Sequence, residues 1–404
     1  MSFISKIIPS KKVVLIDVGT YKVKIALCEY KNNEINILGY WEKKQETSDI
    51  IGSEIANIEW VSNTIALALD KLLKDKNINP HDIIINIPTS TIISCGKNLS
   101  YTRSISDENI SIEELDYIVA KAEKEALSEA KIQIYNKTGY SEVDMKLITS
   151  SITDINIDWF KVSNPLWFTG KNINLSILNI FIPASRYNII NTIANYLEKN
   201  ILSIIPLEFS LPKVLSSWDY AYDDVLFIDI WNTKSSLIIQ KSGVIVWFDK
   251  INIWINDLVK TIKEKTWETT IEVIKNIQDN EKYKEEKKEF LSVWEEWFII
   301  TLKEILQTNL IPYKILLSWW WDNNFVRDHI WKINLSKYTL HSLKPFSFIH
   351  IDFEKDIKIN GDKKIFDKTN IGLLSMIIAS KEIIQYKNNP ILSIIKNFLE
   401  KNEW

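Results

Sequence analysis

A pattern that occurs twice constrains this chain more than any other feature. Residues 13 to 30 read VVLIDVGTYKVKIALCEY: a buried strand from Val13 to Val18, a turn at Gly19-Thr20, and an alternating strand from Lys22 to Leu27. Residues 225 to 240, VLFIDIWNTKSSLIIQ, repeat that arrangement about two hundred residues later, with Asp229 standing where the first has Asp17. The first turn suits a phosphate and its metal. Gly19 lets main-chain N–H groups approach phosphate oxygens, and Thr20 adds a hydroxyl. Asp17 can hold Mg²⁺ through waters, and Lys22 can face a phosphate. One such hairpin is also ordinary strand-turn-strand grammar, so the weight rests on the repetition.

The second hairpin breaks the rule at Trp231, whose indole would block a close approach of main chain to phosphate. Composition bears on this point. The chain has 16 Trp and only 9 Gly, 25 together, whereas glycine alone supplies roughly 7% of an average protein. Some bacterial lineages read the codon UGA as glycine where other code tables give tryptophan, so we expect most of these tryptophans to stand for glycines. Asp229-Ile230-Trp231-Asn232-Thr233 then becomes DIGNT, a second phosphate turn. A third segment fits the same reading. In KILLSWWWDNNFVRDHIWKI, residues 314 to 333, an apolar strand ends at Ser318 and is followed by Trp319, Trp320 and Trp321. Three consecutive indoles there would need an exposed binding patch; as Ser-Gly-Gly-Gly they form a tight strand-to-helix turn over which an adenosine can lie. A Trp-rich surface that stacks on glycans is the competing reading.

Two Asp-bearing hairpins and a Ser-Gly-Gly turn after an apolar strand resemble the actin and Hsp70-type ATPases, in which nucleotide lies between two related domains. More specifically, the chain resembles the FtsA cell-division family. IDVGTYKV is similar to that family's DIGTSKV, and the segment from residue 35 to 69 looks like its strand-to-helix stretch, with Trp41 in a glycine's place. NIDWFKVSNPLWFTGKNIN, residues 156 to 174, matches the family's Asp-Gly…Asn-Pro-x-Gly-x-x-Gly pattern at Val162, Asn164, Pro165, Gly170 and Ile173, with Trp159 and Trp167 on its glycines. That pattern belongs to the family's extra subdomain, 1C. Its helix is expected to start at Ser111 with Glu114 completing a capping box. FDKINIWINDLVKTI resembles a later strand-turn-helix, with Trp254 on one glycine and Ile255 departing at the next. IEVIK, residues 271 to 275, is similar to a motif whose acid and lysine face the nucleotide, which implies Glu272 and Lys275. NIGLL, residues 370 to 374, looks like the family's late segment connecting the two domains. In one respect the chain departs: after Asn232 and Thr233 come Lys234, Ser235 and Ser236, so the second acid of the family's hairpin is missing. An acid there would help order an attacking water, and its loss implies slow hydrolysis or none.

The implied fold is α/β and actin-like: two ribonuclease-H-like domains around a nucleotide cleft, with an inserted FtsA-type 1C (SHS2) subdomain. The expected division is residues 1–90 and 173–210 for the first domain, 91–172 for the insertion and 211–385 for the second domain. ATP and Mg²⁺ are the expected ligands, with Asp17 and Asp229 on the metal. The end of the chain, NNPILSIIKNFLEKNEW, carries Ile391, Ile394, Ile395, Phe398 and Leu399 at helical spacing. It looks like the family's amphipathic membrane-targeting helix, residues 388–404, although such a helix can also dock on its own domain. The resemblance implies recruitment of the tubulin-like FtsZ ring through its C-terminal tail peptide, self-association into filaments, contact with other division proteins, and a place on the cytoplasmic side of the inner membrane. A PilM-like relative from pilus or secretion assembly and a sugar-kinase relative are the alternatives on the same fold. A net charge of -3 gives no reason to expect a nucleic-acid partner. Cys28 and Cys95 fit no metal or redox spacing, and His81, His329, His341 and His350 form no ligand cluster in the sequence. No secretory signal and no apolar run of membrane-spanning length are visible.

Overall fold

In a computed structural model of the chain, the described residues are 10–384, apart from 33, 47, 75, 90, 142, 163, 218–222, 231–234, 252–254, 278, 280, 307–309, 320–323, 334–346, 350–356 and 358. The chain divides into two compact units. Residues 1–213, 359–365 and 372–404 form the first, and 214–358 with 366–371 the second.

The first unit begins as the sequence predicts, with β1 (Lys11–Val18) and β2 (Lys22–Lys31) joined as a hairpin, then β3 (Glu34–Lys44). A two-residue pair, β4 (Ile50–Ile51) and β5 (Glu54–Ile55), leads into α1 (Ile58–Lys74). Val61, Ile65, Ala68, Leu69 and Leu72 lie buried on one helical face of α1, the stripe that packs it on the sheet. Then comes β6 (Asp82–Asn86). Next, β7 (Ile93–Thr102), α2 (Ile112–Thr138), β8 (Met145–Ile157), β9 (Phe160–Lys161) and β10 (Asn172–Pro183) are interposed. These strands form their own antiparallel sheet, in the order β7-β10-β8-β9. The chain returns through α3 (Ala184–Tyr196), β11 (Asn200–Ile204) and α4 (Leu207–Ser210).

The second unit runs β12 (Val225–Ile230), β13 (Ser235–Lys241), β14 (Val244–Ile251), α5 (Ile255–Thr266), α6 (Thr270–Asn276), α7 (Lys284–Leu306), β15 (Lys314–Trp319), α8 (Asn324–Lys332) and β16 (Ser347–Ile349). Its core joins this sheet to α5–α8 around Trp294, which is fully buried and stacks on Phe298 at a centroid distance of 4.9 Å. A short β17 (Asn360–Gly361) and α9 (Ile371–Ile384) complete the described fold.

The sheets of the two units share one topology. In the first the order is β3-β2-β1-β6-β11, and in the second β14-β13-β12-β15-β16. Each opens with an antiparallel three-stranded meander whose first strand then pairs in parallel with the fourth, and the fourth in parallel with the fifth. A fold built on two copies of one unit is what the repeated hairpin implied.

Three boundaries differ from the sequence reading. The interposed sheet runs to Pro183 rather than 172, because β10 pairs along its length with both β7 and β8. The second unit starts at Val214. Residues 359–365 return to the first unit, where β17 extends its sheet by pairing Asn360 with Asn36, and α9 belongs to that unit from Gly372. The α2 start is as expected, with Ser111 accepting from the Glu114 N–H at 3.2 Å. Glu114, however, does not close a capping box: its carboxylate accepts from Arg103 Nε at 2.8 Å.

Candidate functional site

Asp17 is the next-to-last residue of β1, and Asp229 the next-to-last of β12. Both are buried, at 3% and 2% exposure, although each lies near the end of its strand. Register fixes their neighbours. Asp17 lies opposite Lys24 on β2 and Asn86 on β6. Asp229 lies opposite Ser236 on β13 and Ser318 on β15. Directly opposed residues share a face of the sheet, so Asp17 sits in a polar row with Lys24 and Asn86, and Asp229 beside Ser236.

In the first unit Asn86 Nδ2 donates to Asp17 Oδ1 at 3.0 Å. Asp17 Oδ2 lies 3.3 Å from the point where a side-chain carbon on Gly372 would stand, and the Leu207 side chain is equally near that point. Gly372, from the NIGLL segment, therefore leaves room beside the carboxylate. Gly19 is constrained in another way. Its N–H donates to the Lys22 carbonyl at 3.0 Å, and a Cβ there would stand 2.8 Å from that carbonyl oxygen, so only glycine fits the turn. Thr20 follows in the turn. Lys22 is turned to its own sheet. Its ammonium pairs with Glu42, which also accepts from the Tyr40 hydroxyl at 2.8 Å. Partial burial of Glu42 opposes ionisation, yet the hydrogen bonds of Lys22 and Tyr40 and the charges of Lys22 and Lys24 hold its carboxyl below the usual range. Asn86, Lys24 and Gly372 were not singled out for this site from sequence. A polar residue ending an otherwise apolar strand, as Asn86 ends DIIIN, was the available signal.

In the second unit Ser236 occupies the position where the resemblance expects the missing acid, and it is buried opposite Asp229. Ser318 and Trp319 end β15, in register with Asp229 and Ile230. Trp231, Asn232, Thr233, Trp254, Trp320 and Trp321 lie outside the described residues. Glu272 and Lys275 are exposed on α6. The Glu272 carboxylate accepts from Thr269 N and Oγ1 at 2.8 and 2.7 Å, completing a capping box on its own helix, and these bonds lower its pKa. A cleft of about 540 Å³ on α5, lined by Asn256, Lys260, Lys263 and Trp267 among others, includes none of the expected site residues. Among the described residues no three His, Cys, Asp or Glu gather to hold a metal ion. A single carboxylate with one oxygen tied by an amide suits a hydrated Mg²⁺ rather than a protein cage.

The tryptophans separate by environment. Trp267 follows α5 with φ 62°, donates its N–H to Lys263 O at 3.0 Å, and is 92% exposed. Trp167, on the expected glycine of the NPLWFTG segment, has φ 72°. Left-handed backbone of this kind is a glycine conformation, and an outlier for a bulky residue. Gly170 in the same segment has no room for a side chain, since a Cβ would stand 2.3 Å from Ile157 Cγ2. Exposed tryptophans sit on separate elements of both units: Trp41 on β3, Trp60 on α1, Trp159 between β8 and β9, Trp297 on α7 and Trp331 on α8.

No protein-family profile matches the sequence, and no curated protein matches it. Solved structures do. A PilM–PilN type IV pilus biogenesis complex aligns with a TM-score of 0.60 at 10% identity, over 93% of this chain and 99% of that one. The ethanolamine utilization protein EutJ from Carboxydothermus hydrogenoformans aligns at a TM-score of 0.43 and 8% identity, over 91% and 90%. A Bacteroides thetaiotaomicron protein described as having an actin-like ATPase fold aligns at 0.38 and 10%, over 91% and 95%. Together with the duplicated sheet, the end-to-end alignment at 0.60 means that this chain has the actin-like ATPase fold.

Proposed function

We propose that the chain is an actin-fold protein of the FtsA type that binds ATP with Mg²⁺ and tethers the FtsZ ring to the inner membrane, self-associating as it does so. The observation that carries the nucleotide part is the equivalence of Asp17 and Asp229, buried at the same position of two sheets of one topology. When bound, Mg²⁺ would neutralise charge on the phosphates. Asp17 and Asp229 would hold its waters, Asn86 would fix the Asp17 carboxylate, and the Gly19–Thr20 turn would meet phosphate oxygens. Ser236 opposite Asp229 supports slow hydrolysis or none, because a serine there is a poor substitute for a general base. Nucleotide would then act as a switch of conformation or assembly.

The glycine reading of the tryptophans belongs to this proposal. It is supported by the left-handed backbone at Trp167 and Trp267. The division role rests on the motif resemblance, strongest over residues 156–174. There Val162 and Leu166 pack into the core of the interposed sheet, and Asn164 Oδ1 accepts from the Leu166 N–H at 3.1 Å. The membrane-binding segment 388–404 lies outside the described residues. A PilM-like role in pilus or secretion assembly is the second reading, favoured by the alignment over nearly the whole of both chains. A pull-down against an FtsZ C-terminal tail peptide separates the two: retention supports the division role, and no retention at high peptide concentration contradicts it.

A further inference from the structure

The hydrogen bonds around the first hairpin turn lead to a residue that the motifs do not name. Gln45 follows the last residue of β3 and is 7% exposed. Its main-chain N–H donates to Tyr21 O at 2.9 Å, and its side-chain Nε2 donates to Gly19 O at 3.1 Å. One residue thus holds two carbonyls of the turn. Among the described residues its Oε1 is buried without a donor.

The consequence follows from peptide geometry. No peptide bond in the described chain is cis, and in a trans peptide the C=O and the N–H of the next residue point in opposite directions. Drawing the Gly19 and Tyr21 carbonyls toward Gln45 therefore directs the N–H groups of Thr20 and Lys22 away from it. The Gly19 N–H is already spent on the Lys22 carbonyl, and the Lys22 ammonium is held by Glu42. Successive N–H groups directed to one side of a turn make an anion-binding concavity.

We infer that Gln45 is a positioning residue for phosphate: it orients the turn so that the main-chain N–H groups of Thr20 and Lys22, rather than the Lys22 side chain, receive the phosphate. This rests on the nucleotide reading above and adds to it the means by which the turn recognises its ligand. A phosphate without its nucleoside should be felt by this turn, and a nucleoside without phosphate should not.

The test is calorimetric titration of the full chain carrying glycine at 231, 254 and 319–321, and of its Gln45→Met variant, with ATP, ADP and adenosine, each with Mg²⁺. Methionine keeps length and packing but removes the Nε2 donor. The expected result is about tenfold weaker ATP and ADP binding, as for one lost charge-directing hydrogen bond, with adenosine unchanged. Equal weakening of all three ligands would mean a merely structural role, and unchanged ATP binding would mean none; either overturns the inference. If Gln45→Met fails to fold, Gln45→Glu serves. It preserves shape, loses the donor and places a negative charge behind the turn, so ATP should weaken further still relative to adenosine. A parent chain that binds no ATP would overturn the nucleotide reading itself, and this inference with it. A parent that binds ATP while both variants bind it equally well would overturn this inference alone.

Discussion

Trp267 does at the end of α5 what Gly139 does at the end of α2. Gly139 takes φ 76° and donates its N–H to Tyr135 O at 2.7 Å; Trp267 takes φ 62° and donates to Lys263 O at 3.0 Å. Both are left-handed helix caps, a position glycine fills without steric cost. An L side chain there costs roughly 1–2 kcal/mol. In the chain as written, Trp267→Gly is therefore predicted to raise stability by about 1 kcal/mol, read as a higher midpoint in thermal or urea unfolding. Peptide mass mapping of the protein from its source is expected to find glycine at 167 and 267.

Trp294 makes the opposite prediction. It is fully buried against Phe298, and its Nε1 has no partner among the described residues. Trp294→Gly would empty a large core volume and is expected to cost about 3–5 kcal/mol, measured by urea unfolding. A smaller loss would place this tryptophan among the misread glycines too.

Much of this was legible in the residues because it depends on short-range rules. The two Asp-bearing strands, the strand β15 with the helix α8 after it, and the Ser111 cap follow from apolar runs, helical spacing and a capping side chain, and each stands where expected. The boundary at Pro183 was not legible. β10 reads as a buried strand whichever sheet it joins, and only its pairing with β7 and β8 assigns it. From sequence alone Lys22 can face a phosphate, because it opens the strand after the turn. Its pairing with Glu42 depends on a third strand twenty residues away. Asn86 and Lys24 were missed for the same reason, since register across strands is long-range information.

A side chain at Gly372 is predicted to fit only if its neighbours shift. A methyl there would stand 3.3 Å from both Asp17 Oδ2 and Leu207 Cδ2, tighter than ordinary packing allows. Gly372→Val is expected to destabilise the chain by about 1–3 kcal/mol by overpacking. It should also weaken Mg²⁺-dependent nucleotide binding, because the carboxylate must move.

Glu123 gives the fold a pH dependence. It is a buried residue of α2, and neither carboxylate oxygen has a hydrogen-bond partner among the described residues; Ser150, close by, donates instead to Asn179 at 2.8 Å. Burial pushes its pKa up from 4.5 to about 8, with Ser150 pulling it down somewhat and Asp116 adding to it. In the unfolded chain the group ionises near its ordinary value. Between those two pH values the folded state holds the extra proton, so stability falls as pH rises from 4.5 and levels off above 8. Glu123→Gln should flatten this slope, a difference on the order of a few kcal/mol at pH 8, read by urea unfolding across pH.

The proposed nucleotide binding depends on Asp17 and Asp229, each at the same position of its own sheet. The most direct measurement is equilibrium binding of ATP, with and without Mg²⁺, to the chain carrying glycine at 231, 254 and 319–321, beside its Asp17→Ala and Asp229→Ala variants. Mg²⁺-dependent binding that weakens at least tenfold in each variant, while both remain folded, is the predicted result. Absence of ATP binding by the glycine-bearing chain, or binding indifferent to both aspartates, would contradict it.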